Sequence, residues 1–507
     1  MRVALALAVM TCAAVPAQDT TLDLLTASVS DIQNAVDTGA LTYEALVGQY
    51  LARIQRFDRQ GPLLRSVLSV NPKATEIARG LDEERRTRGR RGPLHGIPIA
   101  VKDNIDTADM PTTGGSLIFD RSTPPRDATV IERLRRAGAV IFIKTNLDEF
   151  ASSSMGLSSL GGQTLNPYDL RRSPGGSSGG TAVAVSAGFA TAGLATETGL
   201  SIRGPASNTG IVAIAPSLGL VSRAGVMPIS FTQDRVGVHA KSVMDAALLL
   251  DAIRGFDAED LQTVESLEHR APATYAAAAK GSLQNVRLGK FSDLFRAGPE
   301  FESANAMLEK QIALLGRRGV TIVENVRTGL NLIEMMPTLR LNSFELRPSF
   351  DGYLSRRGHA RVKTLADLIA TGQWLKGGNL ELRLRETMKV QALELDDEYH
   401  RRREVRARLR HALIDVMDRH RLDALVYPTK SLGAPPLGAT DTGSRDNAIS
   451  SVSGLPAFVV PSAVDRDGLP IGLEFLGRPF SEETLMRLAM EYERVHGPRP
   501  LPQTVQR

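Results

Sequence analysis

The stretch SPGGSSGGTAVAVSAGFATAGLATETGLSIRGPAS, residues 173–207, changes character along its length. It opens on glycines and serines, then runs through small apolar residues that suit a helix after Gly180. FATAGLAT, residues 189–196, follows with strand character, and Thr198-Gly199 begins a turn that ends at Ser201. Helix, strand and turn in close succession predict an α/β arrangement with the turn at a strand end.

The same alternation continues outward along most of the chain. Strands are expected at Ile97 to Lys102, Ala139 to Lys144, Asp423 to Pro428 and Pro456 to Pro461. Helices are expected in LTYEALVGQYLARIQRF, in DATVIERLRRAG with Asp127 as its cap, and in EETLMRLAMEYERV. No internal repeat or long low-complexity linker divides the 507 residues, which predicts one elaborate domain.

Composition narrows the function classes. With 42% hydrophobic and 23% charged residues the chain has the makings of a large globular core. The formal charge of +5 is spread along the chain, and no nucleic-acid partner is inferred from it. The basic run from His400 to Asp418 carries Val405, Leu409, Leu413 and Met417 every four residues, as expected of a helix with one apolar face and its arginines in solvent.

The N-terminus reads as an export signal: Arg2, an apolar run from Val3 to Ala14, and the small-residue exit Val15-Pro16-Ala17. That run is far short of the ~20 residues that span a bilayer. Cleavage after Ala17 would leave residues 18–507 as the mature domain and remove Cys12, the only cysteine, with the leader. Lipidation at Cys12 is the alternative processing route.

Two uses of the glycine stretch can be weighed. A phosphate cradle needs lysine and then Ser or Thr after the last glycine, whereas Gly180 is followed by Thr181 and Ala182. Gly175 to Gly179 formally fits a nucleophile elbow around Ser177, but the polar NPYDLRRSP in front of it supplies no strand. The eight histidines show neither a metal-binding spacing nor a context that marks a base. Ser201, 24 residues after Ser177, does follow a strand. A serine hydroxyl needs a base and donors for the developing oxyanion. Lys102 ends the apolar strand GIPIAVKDN, where burial would lower its pKa and make it such a base.

These motifs, GIPIAVKDN, IKTNLDEFA, NPYDLRRSPGGSSGG, TETGLSIRGPAS, TQDRVGV and GLPAFVVPS with LPIGLEFLGRPF, resemble the amidase signature family of serine hydrolases from about Ser30 to about His496. The resemblance implies a mixed, many-stranded sheet with helices on both sides. It also implies a Ser-cisSer-Lys triad: Ser201 as nucleophile, Ser177 after a cis peptide bond as bridge, and Lys102 as neutral base. The backbone N–H groups of Thr198, Gly199, Leu200 and Ser201 would form the oxyanion hole. No metal or organic cofactor is implied, and the substrate would be a small-molecule or short-peptide amide, or an ester.

Arg203 and Asp234 are expected to form structural ion pairs. Leu200 stands where the family usually has glycine, so a positive φ there would strain the turn. Met335, Met336, Phe344 and Trp374 are expected in the core, with an apolar pocket as the alternative. Two other functions stay in play: a non-catalytic binding protein on the same fold, and a subunit of a tRNA-dependent amidotransferase.

Overall fold

The structure is a computed structural model that describes residues 22–269, 271–358, 362–439 and 447–506. The expected leader, residues 1–17, and Cys12 lie outside the described residues. Among the described residues no helix is long and apolar enough to cross a membrane.

Thirteen strands are named in chain order among the described residues: β1 Val67–Val70, β2 Pro98–Lys102, β3 Val140–Thr145, β4 Leu157–Ser158, β5 Gly162–Gln163, β6 Ala192–Glu197, β7 Val212–Ala215, β8 Arg235–Ala240, β9 Arg287–Phe291, β10 Thr321–Val326, β11 Ala424–Pro428, β12 Ala457–Val464 and β13 Pro470–Gly477. All but the small β4/β5 hairpin join one 11-stranded mixed sheet in the order β1-β3-β2-β6-β8-β7-β12-β13-β11-β9-β10. β2 runs parallel to both neighbours, β3 and β6, while β8 is antiparallel to β6.

Alternation along the central strands shows that both faces are covered. Ala195, Ala213, Ala215 and Val459 pack into one apolar cluster with Ala182, Val185, Ile202 and Ala206 from helices 179–186 and 203–208 and the turn before the latter. Their strand neighbours Leu194, Val212, Ile214, Phe458 and Val460 enter the larger cluster, with Leu249 and Leu250 from helix Val243–Ile253 and Leu485 from helix Glu482–His496. A period of two with apolar residues on both faces is what a sheet between two helical layers requires.

The strands and helices expected from sequence form within three residues of their predicted limits, the largest differences being β12, which runs on to Val464, β6, which starts at Ala192, and the basic helix, which starts at Asp397. Asp127 is a correction. Helix Thr129–Arg136 has Ala128 at its N-cap with no side-chain cap. The Asp127 carboxylate instead accepts from the Ala108 N–H at 2.7 Å and pairs with Arg135 at 2.8 Å. In the basic helix, Asp397–Arg419, Leu409, Leu413 and Met417 are buried as the spacing implied. Arg406 also turns inward and donates to the Val452 carbonyl.

Candidate active site

β2 and β6 are adjacent parallel strands, with Val101 opposite Leu194, so their carboxyl ends open side by side. Ligands of α/β sheets gather at such ends. Lys102 is the last residue of β2 and is fully buried. Its Nζ lies 2.7 Å from Ser177 Oγ, 2.8 Å from Thr196 Oγ1 and 3.2 Å from the Thr196 carbonyl. Among the described residues it has no carboxylate within ion-pairing distance. Burial pushes its pKa down to about 7, against the opposing fields of Asp148, Asp234 and Glu197.

Lys144, on the neighbouring strand β3, is equally buried but differently occupied. It pairs with Asp103 at 2.9 Å and donates to Thr112 Oγ1 and the Ile105 carbonyl. Of these two neighbouring lysines, Lys102 is the one that faces a serine.

Ser177 follows a cis peptide bond from Gly176. The glycines here are fixed by close approach. A Cβ on Gly176 would stand 1.8 Å from Asp148 Oδ2, and one on Gly180 would stand 2.2 Å from the Asn146 carbonyl oxygen. Only glycine lets the 173–180 loop press against the segment after β3. Ser178 Oγ then donates to the Thr196 carbonyl, tying the loop to the end of β6.

Past β6, the segment Thr198–Ser201 lines a cavity of about 110 Å³ together with Gly176, Ser152 to Ser154, Ile229 and Gln233. Among the described residues the N–H groups of Thr198, Gly199, Leu200 and Ser201 have no hydrogen-bond partner, while those of Ile202 and Arg203 both donate to Glu197 Oε2. Unpaired backbone donors are uncommon in a folded interior. Four in succession on a cavity wall form a ready acceptor site for negative charge. Ser201 is half-buried on the same wall, and its hydroxyl is not hydrogen-bonded to Ser177.

The turn is held from beneath. Glu197 takes Arg203 Nε at 3.0 Å and Arg235 at 2.5 Å, and Arg203 also reaches Glu474 at 2.6 Å. Arg203 is therefore the structural ion pair expected of it. Asp234 is not: its carboxylate accepts from the Thr198 hydroxyl at 2.5 Å and from the N–H groups of Ile229 and Ser230. Gln233 donates to the Thr198 carbonyl at 2.9 Å, and His239, its pKa pushed down to about 4 by burial, lies 2.7 Å from the Ile202 carbonyl.

A family model described as Amidase matches residues 45–486. The chain belongs to the amidase family. Among similar proteins of this family is the A subunit of the glutamyl-tRNA(Gln) amidotransferase of Chloroflexus aggregans, 36% identical over 92% of this chain and 96% of that one. Among solved structures, the native peptide amidase of Stenotrophomonas maltophilia superposes with a TM-score of 0.87 at 37% identity, covering 94% of this chain and 98% of its own. The corresponding amidotransferase chain of Thermotoga maritima gives 0.75 at 27% identity, covering 95% and 99%. The 11-stranded sheet with its two helical layers is the amidase fold.

Two questions left open by the sequence are answered at this site. Leu200 does not have a positive φ, so the turn is not strained there by a side chain. Met335, Met336, Phe344 and Trp374 do not line the cavity. Met336 is fully buried in a satellite core with Met335 against it, and Phe344 packs on Tyr399. The lining from residues 328–395 is instead Arg340, Asn342, Asn379 and Arg383. The sequence does not single out Thr196, Glu197 or Gln233 either. Thr196 and Glu197 lie inside a quoted motif, but only folding shows that one receives Lys102 and the other clamps the turn.

Proposed function

We propose that this protein is an amidase that hydrolyses a carboxamide, or an ester of similar shape, through a Ser201 acyl-enzyme with Ser177 and Lys102 as proton relay. The observation that carries this reading is the buried, carboxylate-free Lys102 Nζ at 2.7 Å from Ser177 Oγ, beside a cavity walled by Ser201.

A neutral Lys102 has two N–H groups, which Thr196 can accept through its hydroxyl and carbonyl. Its lone pair is then left for the Ser177 proton. Ser201 Oγ, turned toward Ser177, attacks the scissile carbonyl; its proton passes to Ser177 as the Ser177 proton passes to Lys102. The oxyanion is received by the N–H groups of the 198–201 turn. Collapse breaks the C–N bond, and the leaving amine takes its proton back through Ser177. Water then attacks the acyl ester by the same relay, releasing the carboxylic acid and restoring Ser201.

Labelling with a serine-directed fluorophosphonate tests the reading. Modification at Ser201 is expected, and it should vanish in Ser201→Ala. Lack of labelling in folded protein would favour the non-catalytic rival, whose one motive, a strained Leu200, is gone.

A second reading rests on the 36% identity to a glutamyl-tRNA(Gln) amidotransferase chain. In that case the protein would release ammonia for a partner, and turnover would need other subunits. Activity of the purified chain alone separates the two. The leader-like N-terminus favours an exported enzyme, secreted or periplasmic, with residues 18–507 as its mature form.

A further inference from the structure

Arg340 and Arg383 line the same small cavity as Ser201 and the 198–201 turn. Buried arginines elsewhere in this fold meet carboxylates or several carbonyls: Arg203 and Arg235 share Glu197, and Arg223 pairs with Asp260. Arg383 does neither. Its guanidinium, with five N–H donors, makes a single hydrogen bond among the described residues, from Nη1 to Ser152 Oγ at 3.1 Å. Arg340, at the mouth, has no side-chain hydrogen bond or ion pair among them. Burial, with Arg340 as a second cation nearby, pushes the Arg383 pKa down to about 10 against the opposing fields of Asp234 and Asp148, neither of which pairs with it.

Asn342 supplies an independent sign of a missing ligand. It lines the cavity and is 9% exposed, and its side-chain oxygen, an acceptor, is buried without a donor. Polar groups left unsatisfied next to a reactive centre are those a substrate completes. Two guanidiniums without carboxylates call for an anion, and the planar fork of arginine matches a carboxylate bidentately. The cavity, at about 110 Å³, is well below the roughly 300–1,000 Å³ of sites for drug-sized ligands. It has room for a short chain.

From this we infer that the acyl part of the substrate is short and carries a carboxylate, held by Arg383 and Arg340, while the carboxamide lies at Ser201 and supplies the N–H that Asn342 Oδ1 lacks. This specificity rests on the reading of Ser201 as nucleophile.

The test compares succinamate and glutaramate with butyramide and valeramide, their neutral counterparts, and measures glutarate binding by calorimetry. The carboxylates should raise kcat/KM about 10–100-fold, as expected of charge-assisted hydrogen bonds. Arg383→Gln should collapse that ratio mainly through KM and weaken glutarate binding at least tenfold. Arg383→Lys, which keeps the charge, should restore part of both, and this rescue separates recognition from misfolding. Glutarate should bind Ser201→Ala as it binds the wild type. Equal kcat/KM for charged and neutral amides, or no glutarate binding to the wild type, overturns the inference. Failure of Ser201 labelling with glutarate still bound and sensitive to Arg383 would overturn the hydrolase reading and leave the carboxylate site standing.

Discussion

Leu200 packs its side chain onto Gly204, one helical turn further on: a Cβ placed at Gly204 would lie 3.2 Å from Leu200 Cγ. The leucine therefore has a seat prepared for it, and with no positive φ to relieve, its effect is one of space at the cavity wall. Leu200→Gly should raise kcat/KM for bulky acyl groups by about tenfold and leave short ones unchanged or slightly worse, because added backbone freedom loosens the donor turn. A uniform gain across short and bulky amides would point to donor alignment instead.

The relay predicts non-additive losses. Ser201→Ala should remove turnover and acyl-enzyme together. Ser177→Ala and Lys102→Ala should each lower kcat by ~10⁴-fold or more, and the double variant should be scarcely worse than either, since each breaks the same proton path. Single-turnover kinetics on an aryl amide reads this directly. A fully active Lys102→Ala enzyme would require another base.

Most of the fold was legible because it is written in local pattern. Apolar runs of five or six residues such as IPIAVK and AVIFIK mark buried strands wherever they stand, and small residues after Gly180 mark a tightly packed helix. The site was legible only through the conjunction of several motifs, since neither Ser177, Ser201 nor Lys102 is distinctive alone. What stayed hidden depends on long-range contact. Glu197 meets Glu474's partner Arg203 and also Arg235, and Arg383 shares with Ser201 a cavity whose walls come from segments well over a hundred residues apart. Residues 328–395 carry no recognisable motif, and their methionines and aromatics pointed to a core role, which the packing bears out. The polar residues left to line the cavity carried no such signal.

Glu197 is expected to hold both stability and geometry. It is fully buried and receives two guanidiniums and two backbone N–H groups. Glu197→Ala leaves Arg235 without its carboxylate and frees the start of helix Arg203–Asn208. The cost should be about 3–5 kcal/mol in urea unfolding, the usual penalty for removing one partner of a buried ion pair. Glu197→Gln, retaining an acceptor, should cost less, with kcat still reduced because the 198–201 turn loses its anchor.

Export can be checked on protein from its own host. The expected N-terminus of the mature chain is Gln18, after removal of the leader ending Val15-Pro16-Ala17. N-terminal sequencing of the extracytoplasmic fraction should find it. Intact Met1 on cytoplasmic protein would exclude export, and a lipid on Cys12 would replace the cut after Ala17.

The pH dependence follows from the state of Lys102. With its pKa pushed down to about 7 by burial, the neutral base is scarce below that pH and dominant above it. For a substrate that does not titrate in this range, kcat/KM should rise about tenfold per pH unit below 7 and level off above it. The same shift has a stability consequence. An unfolded lysine keeps its proton up to about pH 10.5, so between about 7 and 10.5 the unfolded chain binds more protons at this group than the native one. The contribution of Lys102 to stability is therefore present above pH 10.5 and is lost as pH falls toward 7. Lys102→Met removes the titrating group. The unfolding free energy of that variant relative to wild type should grow as pH is lowered from 10 to 7, while its activity is absent throughout. A rate profile flat from pH 5 to 9, or a Lys102→Met difference independent of pH, would mean that this lysine stays charged in the native enzyme and cannot be the base.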